Sequence, residues 1–241
     1  MNVNKYYEWS SHYDLEMNEI KHLFDQGISF TGKNVMEVGC GTGRFTSRIM
    51  KMAKTIEAID PCEEAIEHCK KEFSNVDSVT FQVATLFDYQ DYKKKYDIVV
   101  FSWSIYLVDN LLENLKITKE ILNDGGKVVI LQANKGEYEE EVSKLYENYD
   151  SLAAYENANS VLEQLLSRLF CSVRVSQLKC YFTFDDVDQI VDLSTFFVVD
   201  EEGQNPSEEK IKQFRERLKH YRNSGGKYIL DDLVDVYIAT K

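Results

Sequence analysis

One stretch constrains this chain more than any other: residues 35–46, Val-Met-Glu-Val-Gly-Cys-Gly-Thr-Gly-Arg-Phe-Thr. The apolar run Val35, Met36 and Val38 predicts a buried strand that ends in Gly39, Gly41 and Gly43, with a helix starting near Arg44. Glycines at a strand-to-helix turn let the backbone approach a ligand more closely than any side chain would allow. A second apolar run, Thr55 to Ile59, ends at Asp60, which lies 21 positions after Gly39. At that spacing a carboxylate accepts hydrogen bonds from ribose hydroxyls. Together these features describe a nucleoside-binding βαβ unit.

The glycine spacing narrows the ligand. The dinucleotide fingerprint is G-x-G-x-x-G, with a helix N-terminus against a pyrophosphate. Here the spacing is G-x-G-x-G, and Arg44 holds the position of the third glycine. Glu37, two residues before Gly39, would repel a pyrophosphate but suits a ligand carrying an ammonium group. No Gly-Lys-Ser/Thr follows the glycines, so a P-loop is excluded. S-adenosylmethionine (SAM) fits these features: it has adenosine, an amino-acid end and a sulfonium, and no phosphate.

Further landmarks follow in order: Ile59-Asp60-Pro61, Ala84-Thr85-Leu86, Tyr96 to Ser104, and Leu122 to Ile130 with its Gly125-Gly126 pair. With them, residues 34–133 resemble the core of a class I SAM-dependent methyltransferase. The resemblance implies an α/β fold, a doubly wound, mostly parallel seven-stranded sheet with an inserted helical/β lid. It implies that Glu37, Gly39, Cys40, Gly41, Gly43 and Arg44 surround the methionine part of SAM, with S-adenosylhomocysteine as product. Asp60 and Pro61 would meet the ribose, Ala84, Thr85 and Leu86 the adenine, and Phe101 and Ser102 the underside of the sulfonium. Tyr13, in a Tyr-Asp pair, would close over SAM. A competing reading makes Asp60 a helix cap, since Asp is a preferred N-cap and Pro61 a preferred first helical residue.

With 241 residues, 44% of them hydrophobic, the chain can build one α/β domain with a sizeable core. Its segments divide into an N-terminal helical part (1–33), the SAM-binding core (34–133), a substrate lid (134–225) and closing strands (226–241). Residues 5–26 read as one helix with Tyr6, Trp9 and Tyr13 on a shared face. Strands are expected at 34–38, 55–59, 79–83, 96–102 and 126–132, with helices near 44–52, 62–73 and 110–122. Lys227–Leu230 and Leu233–Ala239 read as an antiparallel pair closing the sheet.

The net charge of −13 opposes nucleic acid, whose affinity comes from Lys and Arg on phosphates. The segment Phe101 to Tyr106 also lacks the proline of base-modifying methyltransferases. Five cysteines without a C-x-x-C pair suggest neither zinc nor a disulfide framework, and Cys62 and Cys69 are expected to pack on the sheet. No apolar run approaches the ~20 residues of a membrane span, and the polar N-terminus has no signal core; a cytoplasmic location with no membrane partner is expected. The sequence does not set an oligomeric state.

Methyl transfer is an in-line displacement that needs alignment, a dry site and suitable dipoles. An amine acceptor needs only to be neutral and oriented, whereas a hydroxyl needs a base or a metal. After the fourth strand the chain has Ser102, Trp103 and Ser104, with no acidic metal ligand and no prompt histidine; no metal is expected. Tyr6, Trp103 and Tyr106 are candidate acceptor-side residues, since aromatic faces attract ammonium and sulfonium groups. Helix caps and solvated faces explain most of the carboxylates Glu139–Glu141, Asp185, Asp186, Asp188, Asp231 and Asp232. The expected reaction is N-methylation of a small-molecule or peptide amine. Alternatives are O-methylation of a hydroxyl or carboxyl, SAM binding without catalysis, and an NAD-dependent oxidoreductase, which Glu37 and Arg44 disfavour.

Overall fold

The computed structural model describes residues 2–89, 93–145, 161–197 and 205–241. Seven strands form one sheet in the order β3-β2-β1-β4-β5-β7-β6. They are β1 Asn34–Val38, β2 Thr55–Asp60, β3 Val79–Val83, β4 Tyr96–Ser102, β5 Leu122–Ala133, β6 Ser172–Phe184 and β7 Tyr228–Thr240. The first five strands are parallel neighbours, while β7 runs antiparallel between β5 and β6. β1 and β4 are central, and their Val, Met and Ile side chains are buried on both faces, as parallel strands require.

Helices cover both faces. α2 (Asn18–Asp25), α3 (Arg44–Ile49), α4 (Glu63–Glu72) and α9 (Glu208–Leu218) cover the face carrying Val35, Val100, Val129, Phe182 and Leu230. α5 (Leu111–Ile121) and a helix over 161–169 (α7) cover the other, which carries Met36, Val99, Phe101 and Ile130. α1 (Val3–Ser11), α6 (Glu137–Ser143) and α8 (Val187–Phe197) gather at the end where the parallel strands finish. Among the described residues, no helix is long and apolar enough to cross a membrane.

The doubly wound seven-stranded sheet is as expected, and three local expectations are corrected. Residues 5–26 form two helices rather than one. Asp14 and Met17 sit at φ 51° and 59°, and the Asp14 carboxylate accepts from Asn18 N at 2.7 Å and Glu19 N at 3.1 Å, starting α2 afresh. Tyr13 leaves the helix and bridges Phe182 of β6, so it never shares a helical face with Tyr6 and Trp9. Secondly, residues 227–239 form no hairpin. From Tyr228 on they belong to one strand, β7, antiparallel to both β5 and β6, the latter inside the segment assigned to the lid. The Asp231-Asp232 pair does not break the strand because the pleat sends one carboxylate outward and the other inward. Thirdly, Cys69 is fully buried beneath the glycine turn, whereas Cys62 is partly exposed at the N-cap of α4. Residues 146–160 and 198–204 of the expected lid lie outside the described residues.

Candidate active site

A cavity of about 350 Å³ opens where β1 and β4 end. Its floor is the glycine turn. Gly39 N and Cys40 N both donate to Ile59 O, at 2.8 and 3.0 Å, which ties the turn to β2. Gly39 and Gly41 adopt φ 72° and 53°. A Cβ on Gly39 would stand 2.4 Å from Ser104 Cβ, and one on Gly41 would stand 3.2 Å from the Tyr6 ring. These positions require glycine both for backbone conformation and for space.

Asp60 stands at the mouth of the turn. Its Oδ2 accepts from Gly41 N at 2.8 Å and its Oδ1 from Cys62 N at 2.9 Å. Asp60 therefore braces the glycine turn and supports the start of α4, whose first helical residue is Glu63 and not Pro61. Each carboxylate oxygen retains acceptor capacity toward the cavity, which Asp60 lines. Pro61, Ala84 and Leu86 supply an apolar slot, and Thr85 is held beside it by Asp88, which accepts from Thr85 N at 2.8 Å. Opposite lie Tyr6, Trp103 and Ser104, the last donating to Val38 O at 2.5 Å. A glycine cradle, a carboxylate and an apolar slot fit the three parts of SAM.

The remaining candidates support this cavity from behind. Glu37 is buried and accepts from Thr46 Oγ1. Burial pushes its carboxyl up to about 7, with the Thr46 hydrogen bond and Arg44 opposing. Gly43 caps α3, while Cys40 belongs to the core. Arg44 donates to Glu19 at 2.6 Å and to Ser102 Oγ at 2.8 Å. Arg48 donates to Asp14 at 2.7 Å and to Glu19 at 2.8 Å. Burial would raise the Glu19 carboxyl, but Arg44 and Arg48 outweigh it and hold it below the ordinary range. Phe101 faces the opposite side of the sheet. Tyr106 is partly exposed on the short turn Ile105–Leu107. Tyr13, expected over the cofactor, is buried behind Trp103 with ring centroids 4.8 Å apart, and Tyr6 faces the cavity instead.

Trp103 divides two environments. One side of it lines the cavity; the other packs on Trp9 at 6.2 Å and on Tyr13. Its backbone is left-handed, φ 60°, which for a bulky residue costs roughly 1–3 kcal/mol. Its Nε1 donates to Glu19 Oε1 at 3.1 Å, and this buried carboxylate holds the ring in place. Behind Trp103 the aromatic cluster continues through Phe182, 5.1 Å from Trp9 and 5.0 Å from Tyr13, to Tyr138, stacked on Phe182 at 4.1 Å. Trp9 Nε1 donates to the Tyr138 hydroxyl at 2.9 Å. Among the described residues no cluster of three or more His, Cys, Asp or Glu could hold a metal ion.

Sequence reading missed Glu19, Tyr138 and Asp232. Glu19 looks like an ordinary acidic residue in a first helical turn, and no signal marks its burial. Asp232 was legible in principle, because it alternates in register with Leu230 and Val234.

Residues 11–172 match the family model described as a methyltransferase domain. A protein named as methyltransferase 235L of Invertebrate iridescent virus 6 is 29% identical over 134 residues, 55% of this chain and 48% of that protein. Malonyl-[acyl-carrier protein] O-methyltransferase 1 of Ilyobacter polytropus is 28% identical over 97 residues, 39% of this chain and 36% of that protein. The chain thus spans about half or less of the length of these relatives. N-methyltransferase NodS of Bradyrhizobium japonicum, solved with S-adenosyl-L-homocysteine, shares the fold at a TM-score of 0.51 and 12% identity, over 92% of this chain and 86% of that one. The chain therefore belongs to the methyltransferase-domain family, class I and SAM-dependent.

Proposed function

We propose that the protein transfers the methyl group of SAM to the nitrogen of a small-molecule or peptide amine. The observation that carries this reading is the aromatic wall of Tyr6 and Trp103 at the cavity, backed by Trp9, Tyr13, Tyr138 and Phe182. Such faces attract cations and exclude water. An amine acceptor needs orientation rather than a strong base, and the acidic surface steers cations toward the protein.

SAM supplies an electrophilic methyl carbon on a cationic sulfur. The chain's residues divide the remaining work. The Gly39–Gly41 backbone holds the amino-acid end, with the Glu37 carboxyl acting from below. Asp60 accepts the ribose hydroxyls, while Pro61, Ala84, Thr85 and Leu86 enclose the adenine. Tyr6 and Trp103 flank the methyl, and Arg44 and Ser102 fix the floor beneath it. Tyr13 supports Trp103 from behind. Tyr106, partly exposed beyond the turn, borders the acceptor's approach.

A second reading, O-methylation, draws support from the malonyl-carrier relative. Intact-mass detection of methyl transfer to a panel of amines, phenols, carboxylates and short peptides separates the two. Gains confined to amines and peptide N-termini, and absent in Asp60→Ala, support the proposal. Gains on phenols or carboxylates alone would refute it.

A further inference from the structure

Asp232 is out of keeping with its surroundings. On β7 it shares a face with Leu230 and Val234, and its partner across the ladder is Cys180 of β6, between Leu178 and Phe182 on that face. It is 2% exposed, and its Oδ2 has no hydrogen-bond partner. Buried carboxyl oxygens are ordinarily satisfied, so an orphaned one marks a place where a donor is wanted.

The surroundings define that donor. The chain crosses closely over Asp232: a Cβ on Gly136 would stand 2.4 Å from Asp232 Cα. Reciprocal hydrogen bonds, Glu137 N to Asp231 Oδ1 at 2.9 Å and Asp231 N to Glu137 Oε2 at 3.0 Å, clip the start of α6 to β7. They bring Tyr138 over the same face, where the aromatic cluster ends. The Asp232 carboxyl lies close enough to Tyr13, Tyr138 and Cys180 for its charge to disfavour their ionisation. Burial drives Asp232 itself well above the ordinary range; Glu139 of α6, Glu19 of α2 and Asp231 add to the rise, and Arg44 of α3 opposes it. Arg44 is already spent on Glu19 and Ser102. A cationic or N–H-bearing guest would therefore find an unshared acceptor, three nearby carboxylates and aromatic walls.

We propose that Asp232 receives the acceptor nitrogen: an N–H of the amine completes Oδ2, with Trp103, Tyr13, Tyr138 and Phe182 as its walls. This rests on the amine reading above. Burial keeps the Asp232 carboxyl protonated, so the amine leaves its extra proton in water and enters as the neutral base; neutral amine and neutral carboxyl are the combination a dry site prefers. The freed nitrogen lone pair bonds to the methyl carbon as the carbon–sulfur bond breaks. That bonding pair stays on sulfur, and the methylated ammonium sheds its extra proton afterwards. Trp103 stands between the cavity and this site, so its ring must swing for the two to join. Its backbone N stays tied to Leu131 O at 2.8 Å, while the ring has a single side-chain hydrogen bond, to Glu19, which suits a movable partition.

The test uses the full chain and two variants, Asp232→Asn and Asp232→Leu. Four quantities are measured: SAM affinity, Tm, the rise in Tm given by amines with S-adenosylhomocysteine present, and kcat/KM over primary and secondary amines, amino alcohols and amino-acid amides. Both variants should keep or raise Tm, because an orphaned carboxyl is removed. SAM affinity should stay within about twofold in both, while kcat/KM for the best amine falls about 100-fold or more in Asp232→Leu and less in Asp232→Asn, whose amide oxygen still accepts an N–H. The amine-dependent rise in Tm should vanish in Asp232→Leu. An Asp232→Leu variant that keeps kcat/KM within about threefold overturns the role of Asp232 and leaves the amine reading standing. A wild-type protein that methylates only hydroxyls or carboxylates, or gains neither turnover nor Tm from any amine, overturns both.

Discussion

The two halves of the sheet build their parts of the site in opposite ways. On the β3-β2-β1 side, the cofactor region is made of backbone and short-range sequence: a glycine turn, a carboxylate at the end of the next strand and a turn after β3. On the β4-β5-β7-β6 side, the proposed acceptor region is made of side chains from distant segments, Trp9, Tyr13, Trp103, Tyr138, Phe182 and Asp232. A donor common to a whole family can be held by backbone geometry. An acceptor peculiar to one protein must be recognised by side chains, and these are free to come from anywhere in the chain.

If this contrast is correct, substitutions should separate by half. The largest effect is expected for Gly39→Val. Its Cβ meets Ser104 at 2.4 Å in a left-handed backbone, and SAM affinity measured by calorimetry should fall about 100-fold or more, near 3 kcal/mol. Glu19→Gln comes next. It removes the charge that Arg44 and Arg48 share, and chemical denaturation should show a loss of about 3 kcal/mol. An unchanged stability would show that the latch between α2, α3 and Trp103 is unimportant.

Glu37→Gln should act through pH. The Glu37 carboxyl is raised to about 7 in the folded protein, above its ordinary 4.5. Folding therefore favours the protonated form: the stabilisation is complete below pH 4.5 and is lost as pH rises through 7. Glutamine does not ionise, so the variant should gain on wild type by about 2–3 kcal/mol between pH 5 and pH 8. A constant difference across that range would remove the buried-acid account. The smallest effect is expected for Tyr13→Phe. Because Tyr13 lies behind Trp103, SAM affinity should stay within about twofold, whereas a tyrosine covering SAM would lose far more.

The same contrast governs what could be read from the sequence. The glycine turn, Asp60 and the parallel strands follow from local pattern, and their boundaries fall within a few residues of expectation. The N-terminal helix was misjudged because Asp14 carries no mark in the sequence of its left-handed backbone or of its capping of α2. Residues 227–239 were divided because two adjacent aspartates look like a break. In a strand one of them can face Lys179 while the other is buried. Glu19 could not be found at all, since its burial depends on Arg44 and Arg48 of α3 and Trp103 after β4 converging on it.

The central claim is that nitrogen receives the methyl group. The most direct measurement supplies SAM with an isotope-labelled methyl to the protein and an amine and hydroxyl panel, and assigns each labelled product by carbon NMR, where N-methyl and O-methyl carbons are distinct. The account predicts labelled N-methyl products that disappear with Asp60→Ala. Labelled methyl on oxygen alone, or no labelled product from protein shown to bind SAM, would contradict it.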